Sequence, residues 1–94
     1  MPVYMVTWNL NNEQANYDPA RSAFLQHLAR YQMIQDPGLH TVRWISTNFT
    51  AGQICADLQT TLDATDRLFV TQVTAGTHQG WLSKTVWDWI NARL

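Results

Sequence analysis

The stretch Val3–Leu10 constrains this chain more than any other. It reads Val-Tyr-Met-Val-Thr-Trp-Asn-Leu, apolar at nearly every position and rich in β-branched and aromatic residues. A strand with one face in water alternates apolar and polar residues, whereas a strand buried on both faces reads as an almost unbroken apolar run. Val3–Leu10 is therefore expected in the middle of a sheet, paired on either side and covered above and below.

The rest of the chain supplies the partners. Thr41–Thr47 and Asp66–Thr74 read as strands, and the shorter Gln32–Asp36 precedes Pro37-Gly38, a turn signal that makes a hairpin with Thr41–Thr47. Asp18-Pro19 has the form of a helix start, with Asp18 as N-cap, and Ala20, Phe24, Leu28 and Tyr31 recur at helical spacing. Thr50-Ala51-Gly52-Gln53 has the form of a capping box, opening a second helix with Ile54, Leu58 and Leu62 on one side and an end near Asp63. Ser83 is placed to cap a last helix, Lys84–Arg93, which carries Val86, Trp87, Trp89 and Ile90.

Strand, helix, two strands, helix, strand is the order of a ferredoxin-like βαββαβ sandwich. The expected fold is thus α+β, one domain over residues 1–94, with an extra C-terminal helix. Two helices cover only one face of such a sheet. Yet the strands are apolar at both parities: Tyr4, Val6 and Trp8 against Val3 and Met5, Val42 and Trp44 against Ile45, and Leu68 and Val70 against Phe69 and Val73. The second face therefore needs a cover, and the terminal helix and a second copy of the chain are both expected to provide it.

Composition agrees with self-association. Hydrophobic residues make up 46% of the 94 and charged ones 14%, with five Trp, against roughly 25% charged in average proteins. The net charge of −1 gives no basic field to attract nucleic acid or an acidic membrane, and the six basic residues are scattered. The single Cys55 excludes an internal disulfide and fits a reducing compartment. No apolar run reaches the roughly 20 residues of a membrane span, and Met-Pro-Val-Tyr has no signal-peptide character. A cytoplasmic protein without a membrane partner is expected.

Candidate chemistry is sparse. His27 has no His, Cys or carboxylate three or four residues away and reads as a packed helix histidine. The loop Asn9–Tyr17 precedes a helix N-terminus, where backbone N–H groups can hold an anion, but it lacks glycines that would wrap a phosphate and reads as a solvated loop. Trp81, Trp87 and Trp89 have the faces of a base-stacking platform, yet only Lys84 and Arg93 lie near them, so packing or interface roles fit better. Cys55, Asp57 and His78 form no nucleophile signature.

Tyr4-Met5-Val6-Thr7-Trp8-Asn9-Leu10-Asn11 resembles the Tyr-x-Val-x-Tyr-Asp-Leu-Asn opening of the small SinR-like proteins, grouped with the CRISPR-associated Cas-two and virulence-associated D proteins. The resemblance continues through Val42–Thr47, Leu62-Asp63, Asp66–Val70, Gly80–Lys84 and Trp87-Asp88-Trp89. It implies a ferredoxin-like fold and a homodimer packed through the open sheet face. The apolar strand residues Tyr4, Val6, Trp8 and Trp44, with Trp87 of the last helix, are the residues expected at that interface. The resemblance also implies metal-dependent cleavage of RNA or DNA in some members, and a scaffold role towards DNA or a protein partner in others.

The family's catalytic position is an Asp at the end of the first strand, which two subunits bring together around a divalent metal. Here it matches Asn9, a neutral amide. The resemblance then implies a catalytically degenerate, dimeric interaction module with no metal and no cofactor. Arg43 and Arg67 are the arginines expected to meet nucleic acid. The alternative is a Mg²⁺-dependent endonuclease of toxin or CRISPR-adaptation type.

Overall fold

The computed structural model describes every residue of the chain except Gln14. Its elements are β1 (Val3–Asn9), α1 (Tyr17–Leu28), β2 (Gln32–Ile34), β3 (Val42–Ser46), α2 (Ala51–Gln59), β4 (Arg67–Val73) and α3 (Lys84–Asn91). The sheet runs β2-β3-β1-β4, and each neighbouring pair is antiparallel. This is an α+β fold compatible with the ferredoxin-like arrangement, with a C-terminal helix added. β1 is a central strand: Val3 lies opposite Ser46 on one side and Val73 on the other, and Thr7 opposite Val42 and Phe69.

The two parities of the strands feed two separate cores. Tyr4, Val6, Trp8 and Ile45 pack with Phe24 and Leu28 of α1 and with Ile54 and Leu58 of α2. The Trp8 and Phe24 rings meet at 5.0 Å between centroids. On the other face Val3 and Trp44 pack with Val86 and Ile90 of α3, with Met5, Ile34, Val42 and Val73 around them. α3 has eight residues, too few to hold together by itself in water. Burying Val86 and Ile90, at roughly 1.5–3 kcal/mol per side chain, supplies what its backbone lacks.

Helix ends follow local chemistry. Thr50 and Gln53 close a reciprocal capping box at α2, and the Ser83 hydroxyl accepts from the Val86 N–H at α3. α2 stops at Gln59 rather than near Asp63, because the Thr60 and Thr61 hydroxyls donate to the carbonyls of Asp57 and Leu58. Asp18 is not the cap of α1: Asn16 holds that position without a side-chain bond, and Asp18 sits in the first turn. There its charge faces the positive end of the helix dipole, and Pro19, third in the helix, removes an N–H that has no intrahelical partner anyway. Tyr31 lies beyond α1, which leaves its side chain free to cross to α2.

No helix among the described residues is long and apolar enough to cross a membrane.

Candidate functional site

Asn9 closes β1, exposed on the second face of the sheet and directly opposite Arg67 of β4. Thr7, Asn9, Arg67 and Phe69 line a shallow depression of about 230 Å³ with Trp8 and Leu68. Arg67 is exposed, its Nη1 donating to the carbonyls of Ala64 and Asp66 at 3.2 and 2.9 Å. The Asp66 carboxylate accepts from the Asn11 and Asp63 N–H groups. Asn11 in turn accepts from the Glu13 N–H through its Oδ1. The loop after β1 thus satisfies part of its own backbone; Gln14, in the same loop, lies outside the described residues. Among the described residues no three His, Cys, Asp or Glu side chains are grouped to hold a metal ion.

The other expected residues are dispersed. Arg43 points to the first face, opposite Val6, and is only 6% exposed. Its guanidinium lies 5.2 Å from the Trp8 ring centroid, and its Nη1 donates to the carbonyls of His40 and Val42. Burial, and then the charge of Arg21, lower its pKa, and its Nε is buried without a partner. Arg43 is packed and Arg67 displayed, on opposite faces, so the pair forms no common basic surface. The expected interface set divides the same way. Tyr4, Val6 and Trp8 are buried beneath α1 and α2, while Trp44 and Trp87 belong to the second face.

A polar cluster between the two helices escaped the sequence reading, because its carboxylate comes from another element. Asp57 of α2 accepts from Tyr31 Oη at 2.5 Å and from an Arg30 Nη, and its Oδ1 lies 2.9 Å from His27 Nε2. Arg30 Nη2 lies 2.7 Å from the same His27 nitrogen. One ring nitrogen cannot donate to Asp57 and accept from Arg30 at once, and pairing with the carboxylate is the stronger bond. Partial burial pushes the Asp57 carboxyl up, but the bonds from Tyr31, His27 and Arg30 outweigh it and leave the pKa below its ordinary value. Burial first, and then the bond to Asp57, push the Tyr31 phenol up to about 12. The cluster ties α1 to α2.

The second face also carries a groove of about 520 Å³, walled by Met5, Trp44, Thr71 and Val73 of the sheet, by Trp87 and Ile90 of α3, and by the loop between β4 and α3. That loop is fixed at both ends. The Thr74 carbonyl accepts from the Thr77 N–H and hydroxyl and from His78 Nδ1. At the far end the Ser83 N–H donates to the buried Asp36 carboxylate, which also accepts from Gly38. These two backbone bonds hold the Asp36 pKa below its ordinary value. His78, its Nδ1 proton committed to Thr74, stacks on Trp87 at 5.9 Å. Trp81 stands at the rim of the groove, fully exposed.

No protein-family model, curated protein or solved structure matches this chain.

Proposed function

We propose that the chain is a small homodimeric interaction module, of the kind the Cas-two-like resemblance implies, without metal-nuclease chemistry at Asn9. The observation that carries this reading is the second sheet face. α3 covers only part of it, leaving Phe69 60% exposed, Trp81 fully exposed and the groove beside Trp81 open. Large aromatic side chains left in water by a chain of such low charge support a stable interface, which should bury more than roughly 1,000 Å² in total. The inactive-site part of the reading rests on Asn9 and its neighbour. An amide supplies oxygen without charge, and the guanidinium-bearing Arg67 opposite it disfavours a divalent cation.

Light scattering at micromolar concentration should return about twice the chain mass of 10.8 kDa; a monomer would overturn the dimer. Incubation with RNA and DNA, in Mg²⁺ or Mn²⁺ and with or without EDTA, should give no metal-dependent cleavage. EDTA-sensitive turnover that disappeared in Asn9→Ala would instead establish the endonuclease. Asn9→Asp, which restores the family's carboxylate, should raise metal affinity if the dimer brings two copies of this position together.

A further inference from the structure

Resting on the dimer reading above, we infer that the two copies lock by reciprocal insertion: Trp81 of each copy fills the groove between β4, the loop after it and α3 on the other. Trp81 is the only large apolar side chain among the described residues that is fully exposed, and it sits at the rim of a mainly apolar groove of about 520 Å³. Its loop is pinned at Thr74 and at Ser83, so the indole is held out towards solvent by a tethered segment. Leaving a Trp in water forgoes the burial of roughly 150–250 Å² of mostly apolar surface.

Its own groove offers the receptor. Met5, Trp44, Leu82, Trp87 and Ile90 give it apolar walls, and its volume of about 520 Å³ is ample for an indole. Charge points to a second copy as the occupant. Only close to a two-fold axis does a residue lie near its own counterpart, so a charge there meets a like charge. Among the described residues the groove is lined by no Lys, Arg, Asp or Glu, which suits a self-facing surface and does not suit a binder of charged partners. The geometry of knob and hole agrees. In a closed two-fold pair the axis passes midway between each knob and the hole it leaves on its own chain, and here the two adjoin. The contact is therefore compact and closes at two copies instead of propagating.

Sedimentation equilibrium of the full chain, of Trp81→Ala and of Thr71→Arg tests the insertion. The first variant removes the knob, and the second places a charge in the hole close to the axis. Trp81 makes no contact that holds the single chain, so circular dichroism of Trp81→Ala should match that of the parent. Each variant should weaken dimerisation at least about 30-fold, the size expected for a central aromatic anchor. Independently, the emission of Trp81, taken as the difference between the parent and Trp81→Phe, should shift to the blue as concentration rises through the dimerisation range. A parent that is monomeric overturns both the insertion and the dimer. A dimeric parent whose dissociation constant is unchanged in Trp81→Ala, or whose Trp81 emission stays water-like in the dimer, overturns the insertion and leaves the dimer standing.

Discussion

The two faces of the sheet solve the same problem with unequal means. On the first face two helices lie over Tyr4, Val6, Trp8 and Ile45, and the aromatic left half-exposed at its margin, Phe49, meets Tyr31 edge-on. On the second face a single short helix lies over Val3 and Trp44, Phe69 stays exposed, and Trp81 stands in water at the rim of an open groove. Each face is also held by one carboxylate. Asp57 gathers His27, Arg30 and Tyr31 across α1 and α2, whereas Asp36 binds the β2–β3 turn to the start of α3. A closed core serves stability alone. A half-closed one leaves apolar surface uncovered, which is the surface the proposed dimer would use.

Truncations should separate the faces most sharply. Phe24→Ala removes a fully buried ring of α1 that packs on Trp8 of the sheet, and should cost about 3–5 kcal/mol of unfolding free energy in urea titration. Dimerisation per folded chain should not change. Ile90→Ala, on the second face, should cost less, about 2–3 kcal/mol, because its site borders a groove into which neighbours can relax. Unlike Phe24→Ala, it should also weaken the proposed dimer. If both variants lost equal stability and left assembly untouched, the contrast between the faces would be broken.

Acid should give the smallest effect and touch both faces. Asp36 and Asp57 both have pKa values lowered by folding, so their contribution is complete above the unfolded carboxylate value of about 3.9 and is lost as pH falls through the folded values. Thermal unfolding should be insensitive to these groups near pH 7 and fall progressively below about pH 4. Asp36→Asn should flatten part of that acid slope and loosen α3, with protection of its amides from hydrogen exchange falling before that of α1. A slope unaltered in Asp36→Asn would remove Asp36 as the clamp of the second face.

Much of this architecture is legible in the chain because it depends on nearest neighbours and on period. The double apolar parity of Val3–Leu10 determines a central strand covered on both sides, and Thr50 with Gln53, like Ser83, determines where a helix begins, since a cap is a bond between residues three apart. The order of elements then allows few sheets, and β1 lies between β3 and β4 as it must. What the sequence could not settle is which long-range partners meet. Asp57 reaches His27 across 30 residues and Asp36 reaches Ser83 across 47, and no spacing rule connects residues so far apart. Parity identifies the residues that share a face but not the face that the helices take, so only the tertiary structure places Tyr4, Val6 and Trp8 beneath α1 and α2 and turns Trp44 and Trp87 to the other side. Burial likewise separates Arg43 from Arg67: one guanidinium is drawn onto the Trp8 ring and the other remains in water, a distinction set by three-dimensional packing and absent from the residues themselves.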